Sequence, residues 1–284
     1  MKTCARCKAS KFLDEFYVNR GWADGRHPYC KQCLLDYQRE RRRERLDREN
    51  PNRRRWSSTF VRHDYFATMA KPIQAYVAGL LAADGNVLER QRRVSLELSV
   101  RDHELVHLVR DELAPGFPVR QRKRQNGVES VTFAITSTEL CADLARLGIT
   151  PRKSLTLRWP ERLNQAFGRF FLLGYFDGDG FVTWSRNGAY VYPRWGLCGT
   201  EMFLSAAMRF ISDQVQISPR RVRSDKGKAM HVLYVNGADA LIVDRWIHSG
   251  TRLGLARKKL SLRRGQADSA ASSSSRAASS SSLR

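Results

Sequence analysis

No stretch of this 284-residue chain is apolar for long enough to cross a bilayer, and its first residues, Met1-Lys2-Thr3-Cys4-Ala5-Arg6, hold no apolar signal segment. Membrane insertion and export are therefore not expected, and a cytoplasmic location is. Acidic side chains are scarce, 28 against 50 lysines and arginines, which leaves a formal net charge of +22. So one-signed a composition favours a polyanionic partner, with nucleic acid first; a ribosomal or simply soluble basic protein also fits the charge taken alone. Cysteines number only six, and in a cytoplasmic protein they read as metal ligands or buried thiols rather than disulfides. Cys141 and Cys198 are expected as small core residues, and His103 and His107 have no metal partner at suitable spacing.

The other four cysteines are grouped. Cys4-x-x-Cys7 and Cys30-x-x-Cys33 enclose 22 residues, a zinc-ribbon spacing slightly longer than the common range. Residues 1–36 can bury little beyond Phe12, Phe16, Tyr17 and Tyr29, so one structural Zn²⁺ held by Cys4, Cys7, Cys30 and Cys33 would replace the missing core. The run Lys11-Phe12-Leu13-Asp14-Glu15-Phe16-Tyr17, with Asp24-Gly25-Arg26-His27-Pro28-Tyr29-Cys30-Lys31, is similar to the zinc-binding heads of phage-type nucleases. His27 is surplus to a four-cysteine site. Residues 37–70 read as a basic connector containing Arg39, Arg41, Arg42, Arg43, Arg53, Arg54 and Arg55, either a tether that tracks phosphates or a solvated linker. Residues 268–284 are Ser/Ala-rich low complexity, read as a disordered tail.

Between connector and tail, one short pattern occurs twice: Val77-Ala78-Gly79-Leu80-Leu81-Ala82-Ala83-Asp84-Gly85 and Leu172-Leu173-Gly174-Tyr175-Phe176-Asp177-Gly178-Asp179-Gly180. Each is an apolar helix that ends in Asp-Gly. Gly79 and Ala83, like Gly174 and Gly178, fall four apart on one helix face, which lets two backbones approach closely. Packed together, the helices would bring Asp84 and Asp179 side by side at two helix C-termini, where the dipoles disfavour negative charge and like carboxylates raise each other's pKa. A divalent cation removes that conflict, so the pair reads as a metal site.

Asp179 lies 95 positions after Asp84, and the flanking sequence repeats with the same period. The first half, residues 71–153, predicts a helix over 73–83, strands over 86–88 and 94–100, and a helix over 102–113. Strands over 117–123 and 129–136, around a Gln125-Asn126-Gly127 turn, and a helix over 138–147 complete it. The second half, residues 154–267, predicts a helix to Gly178, strands over 181–185 and 191–197, a helix over 200–215, strands over 221–223 and 230–235, and a helix over 238–247. The fold class is thus α+β, two pseudo-symmetric αββαββα halves with antiparallel sheets, plus the small zinc-ribbon-like module. After each closing helix comes a further echo, Gly148-Ile149-Thr150-Pro151-Arg152-Lys153 and Gly254-Leu255-Ala256-Arg257-Lys258. Strand alternation with Val94, Leu96, Leu98, Phe117 and Val119 inward leaves Arg93, Ser95, Glu97, Ser99, Arg120, Arg122 and Arg124 outward, where DNA would lie; the second half offers Arg194, Arg221 and Arg223.

The paired motifs resemble those of the LAGLIDADG homing endonucleases in their single-chain, two-motif form. The second copy carries the Gly at the third position and the closing Asp-x-Asp-Gly; the first has Ala82 in place of the first Asp. The resemblance implies a monomer with internal pseudo-twofold symmetry whose sheets saddle a long double-stranded DNA target. It implies cleavage of both strands across the minor groove with two or more Mg²⁺ ions bound beside DNA. Asp84 and Asp179, with the carbonyls of Ala83 and Gly178, would be the Mg²⁺ ligands, and Lys153 and Lys258 the basic active-site residues. Asp102 falls loosely where a polar active-site residue often lies. Family analogy points to a mobile element in a bacterial or phage genome. An intein is not expected, since a zinc head stands where splicing blocks would be. The rival class is a non-cleaving binder on the same scaffold, a transcription regulator or an intron RNA maturase; the presence of both Asp84 and Asp179 favours cleavage.

Overall fold

Buried apolar side chains form two clusters, a small one around Cys4, Phe16 and Cys30 and a large one drawn from residues 61–260. The chain divides accordingly between Phe60 and Val61. The computed structural model describes residues 1–49, 61–123, 127–161, 163–188, 190–224 and 230–260. Arg124, the first two residues of the Gln125-Asn126-Gly127 turn, Arg53, Arg54, Arg55 and the tail over 268–284 lie outside the described residues.

In the first unit, strands β1 (Lys2–Thr3) and β2 (Ser10–Lys11) pair antiparallel around the first cysteine knuckle. Helix α1 (Lys31–Glu49) starts directly after Cys30 and carries Cys33 in its first turn. Arg6 ties the knuckle to this helix, donating to the Cys33 carbonyl at 3.1 Å and to both Glu40 carboxylate oxygens at 2.6 Å. The boundary expected at residue 36 therefore falls inside α1, because the helix that leaves the second knuckle continues into the arginine run.

The second unit opens with residues 61–70, which the sequence places in the connector. Val61, Tyr65 and Phe66 are buried in the large core, the Tyr65 hydroxyl donates to Glu112 at 2.7 Å, and the Arg62 N–H donates to the Leu113 carbonyl. Three apolar side chains without helical or strand periodicity hide this docking in the sequence.

From residue 72 the predicted order is found. Helix α2 (Pro72–Ala83) has proline in its first turn, where a missing N–H costs nothing. It leads into β3 (Gly85–Leu88), β4 (Arg93–Ser99), α3 (His103–Leu113), β5 (Arg120–Lys123), β6 (Glu129–Thr136) and α4 (Thr138–Arg146). Helix α5 (Gln165–Asp179) then begins the second half, followed by β7 (Gly180–Asn187), β8 (Tyr190–Gly199), α6 (Glu201–Val215), β9 (Arg223–Ser224), β10 (His231–Asn236) and α7 (Ala238–His248). Each half holds one antiparallel four-stranded sheet, in the orders β3-β4-β6-β5 and β7-β8-β10-β9. Helices α3 and α4 back the first sheet and α6 and α7 the second, while α2 and α5 pack on each other. The Ser137 and Thr200 hydroxyls cap the helices that follow them by accepting from the N–H groups of Leu140 and Phe203. This is the α+β pair of αββαββα halves with its small cysteine module.

Close approach of α2 and α5 depends on the predicted glycines. A Cβ built on Gly79 would overlap the Phe171 carbonyl oxygen, and one on Gly174 the Tyr76 carbonyl oxygen, so the backbones touch where the side chains are missing. One polar bond crosses this joint: the Tyr76 hydroxyl donates to buried Asp177 at 2.6 Å. One period away, Phe171 replaces Tyr76 and Ala82 replaces Asp177, so the acid missing from the first motif is matched by a missing hydroxyl. Burial pushes the Asp177 pKa up, and Tyr76 and the Leu255 N–H offset part of that cost.

Candidate functional site

Asp84 is the C-cap residue of α2, and Asp179 is the last residue of α5. The helix joint brings them together as the sequence predicts: a Cβ on Gly178 would lie 2.6 Å from Asp84 Oδ2. Burial is the larger cause that raises the Asp84 carboxyl to about 6, and the Asp179 charge is the second; Lys258 and Lys153 pull the other way. Asp179 is also raised, by burial, against the lowering effects of Lys153, Lys258 and the Tyr175 hydroxyl. Two half-desolvated carboxylates beside each other at helix C-termini fit a hard divalent cation that takes few protein oxygens and keeps water. They open into a cleft of about 540 Å³ whose walls include Ala83, Asp84, Asn86, Lys153, Tyr175, Asp179 and Thr200.

The two lysines differ. Lys153 Nζ donates to the Gly85 carbonyl, two residues beyond the end of α2, and the side chain lines the cleft. Lys258 Nζ instead turns onto the end of α5, donating to the carbonyls of Phe176, Asp177 and Gly178 at 2.9, 2.6 and 2.9 Å. The Gly178 carbonyl, expected as a metal ligand, therefore already accepts a hydrogen bond. Burial lowers the pKa of both lysines, that of Lys258 to about 8. Next to Lys258, Arg257 forms a two-pronged ion pair with Asp102 of the first half at 2.8 and 2.6 Å. This pair occupies Asp102, so that residue braces the two halves and does not reach the cleft. Tyr175 and Thr200 are cleft residues that the sequence reading missed. Tyr175 sits within the second motif where the first has Leu80, and that mismatch was the available signal.

In the first half, strand register sets the described members of the expected outward row on one sheet face. Arg93, Ser95, Glu97 and Ser99 pair with Thr136, Ala134, Thr132 and Ser130, and Arg120 and Arg122 lie opposite Thr132 and Ser130. The Ser130 hydroxyl donates to Glu97 at 2.8 Å on that face, and a recess of about 280 Å³ is lined by Arg93, Arg120, Arg122 and Thr132. In the second half, Arg194 is held in place: its Nε donates to Asn236 at 2.9 Å, one terminal nitrogen donates to the Tyr192 hydroxyl at 3.0 Å, and its guanidinium lies 4.7 Å from the Tyr234 ring centre. Arg221 and Arg223 flank Tyr234 and Asn236 in a recess of about 310 Å³. Cys198, expected in the core, lies half-buried on this outer face, because Trp195 and Leu197 take the inward positions of β8. Cys141 is buried as expected.

The four head cysteines form a separate centre. Their sulfur atoms all lie within 4.8 Å of one another, and the Cys30 N–H donates to Cys4 Sγ at 3.3 Å. Tetrahedral zinc ligation places sulfurs roughly 3.8 Å apart, given Zn–S near 2.3 Å, so small shifts would close the set on one ion. Burial works against ionising Cys4, yet N–H groups of Cys30, Cys7 and Arg6 outweigh it and bring its pKa to about 6. Burial and the three neighbouring thiols push Cys33 up to about 12. The set resists full ionisation until a cation is bound. His27 takes no part; its Nδ1 accepts from the Tyr29 N–H.

The solved structures that the chain resembles include LAGLIDADG homing endonucleases. The meganuclease I-CpaMI bound to uncleaved DNA is 13% identical, with 72% of this chain and 93% of that one covered at a TM-score of 0.46. For a mesophilic variant of the homing endonuclease I-DmoI the values are 15%, 68%, 97% and 0.44, and for I-WcaI bound to its DNA recognition sequence 15%, 65%, 84% and 0.43. No protein-family model and no curated protein matches the chain. Among the described residues, no helix is long and apolar enough to cross a membrane.

Proposed function

We propose that this protein is a LAGLIDADG-type, Mg²⁺-dependent endonuclease that cuts both strands of a long double-stranded DNA site. The observation that carries the reading is the placing of Asp84 and Asp179: two partly desolvated helix-end carboxylates meet in the wall of one cleft that Lys153 also lines. Nothing in stability favours that arrangement. Mg²⁺ bound between them would bring waters and accept phosphate oxygens as ligands, which supplies an activated nucleophile and charge neutralisation at phosphorus. The residues around it place and dry that site. The outer rows, with Arg93, Ser95, Glu97, Arg120 and Arg122 on one sheet and Arg194, Arg221 and Arg223 on the other, are the surfaces for DNA. Arg194, fixed between Tyr192, Tyr234 and Asn236, suits base reading, whereas the freer Arg120 and Arg122 suit phosphates. The protein acts as a monomer, its two halves supplying the twofold symmetry, with one structural Zn²⁺ in the head.

A randomised plasmid library incubated with and without Mg²⁺ tests the reading. Linearised plasmids should appear only with Mg²⁺, and Asp84→Asn or Asp179→Asn should reduce cutting at least a hundredfold while leaving specific binding within a few-fold. Specific binding without Mg²⁺-dependent cutting by the unaltered chain would identify a non-cleaving binder instead.

A further inference from the structure

The two turns that follow the closing helices have the same sequence ending but different surroundings. In the second half every part of the turn is tied down. The Leu255 N–H donates to Asp177 at 3.1 Å, Arg257 grips Asp102, Lys258 donates to three carbonyls, and the Leu260 N–H donates to Asp244 at 3.1 Å. An ammonium has three protons, and those of Lys258 are all engaged on the exposed carbonyl end of α5, the end that carries Asp179. In the first half the matching turn is closed by its own backbone bonds but has fewer side-chain ties. Arg152, with φ of 60°, is exposed and accepts from the Leu155 N–H at its carbonyl, but its side chain makes no hydrogen bond among the described residues, and Leu155 is 66% exposed. Lys153 has one carbonyl acceptor, which leaves two N–H groups for the cleft it lines.

Resting on the endonuclease reading, we propose that the two lysines have different roles: Lys153 is the group that meets the scissile phosphate, Lys258 is a positioning residue that fixes the end of α5, and the strand served by Lys153 is cut first. In the reaction a water oxygen bonds to phosphorus, the P–O3′ bond breaks, the departing 3′ oxygen gains a proton, and the water proton passes to solvent. Charge builds on the non-bridging oxygens in between. A lysine with free N–H groups can follow that charge, while one that must first release three carbonyls cannot do so without exposing them. The second strand is cut more slowly, from the braced side.

The test uses the full chain in two arms. Without DNA or Mg²⁺, Lys258→Met should lower Tm by several degrees, Lys258→Arg should recover part of the loss, and Lys153→Met should shift Tm by no more than a degree or two. With a target recovered from the plasmid library and labelled separately on each strand, the unaltered protein should accumulate a nicked product cut always on the same strand. Lys153→Met should slow that first cut at least a hundredfold at unchanged Tm. Equal thermal effects of the two methionine variants, or strands nicked at random, would overturn the proposal. If the unaltered chain cut nothing in the library, the endonuclease reading would fall, and the thermal arm would still decide whether Lys258 braces α5.

Discussion

Asp84 occupies a position that costs the fold stability. Its carboxyl rises from an ordinary 3.8 to about 6, so between those pH values the native state holds a proton that the unfolded state has released. Metal-free stability from this group is therefore highest below about pH 4, falls as pH rises through 6, and is flat beyond. Because the Asp84 side chain is exposed to the cleft, solvent screening leaves only part of that shift as stability. Asp84→Asn cannot ionise, so without metal it should melt measurably above the unaltered protein at pH 7.5, and the two should converge near pH 4. Thermal scans in chelator at both pH values check this. Equal melting temperatures at pH 7.5 would mean that water and the two lysines screen the carboxylate fully. The pairing of Asp84 with Asp179 was legible in the sequence because both sit at fixed steps from small residues that set the helix joint. The contrast between Lys153 and Lys258 was not, because two identical letters after two similar helices do not say which carbonyls their long side chains reach. Nor was the Arg257–Asp102 pair, whose members are 155 residues apart.

The elements themselves were legible almost throughout, since apolar spacing of 3.6 or 2 residues and the Asp-Gly helix ends are local signals. Two strands came out shorter than expected. The edge strand β5 begins at Arg120 and not at 117, because Pro118 has no N–H for the ladder, and β9 is reduced to Arg223–Ser224, paired only through His231 and Val232. The joint of α2 and α5 is the most demanding contact between elements. Gly79→Ala would press a methyl into the Phe171 backbone, so it should cost about 2 kcal/mol or more in denaturant titrations. A loss below about 0.5 kcal/mol would show that the helices can move apart cheaply. The cysteine knuckles make a similar demand of the head. With only Cys4, Phe16 and Cys30 forming its buried cluster among the described residues, purified protein should contain one equivalent of zinc, and Cys30→Ser should lose it; elemental analysis reads both outcomes directly.

At the scale of the whole molecule, the 95-residue period exposed the two-half plan, while the boundary of the folded body was misjudged because Val61, Tyr65 and Phe66 follow no period. Residues 61–260 own a separate core, so removing residues 1–60 should leave them folded. The lost segment includes Arg39, Arg41 and Arg45 of α1, a basic array suited to phosphates. Counterion release gives roughly 0.9 per phosphate contact, so losing about four contacts should lower the log–log salt slope of DNA binding by three to four units without changing the preferred target core. A changed target with an unchanged slope would make the head a base reader. The Tyr76–Asp177 bond, finally, settles which halves can pair. Two copies of the first half would set Tyr76 against Ala82 twice and strand two buried hydroxyls. Two copies of the second would seal two Asp177 carboxylates against Phe171 rings. Only the mixed pair satisfies its own chemistry. Were the chain severed between α4 and α5, the pieces would select each other over themselves: the joint works as a key with one lock, and a working homodimer cannot be rebuilt from either half without recutting it.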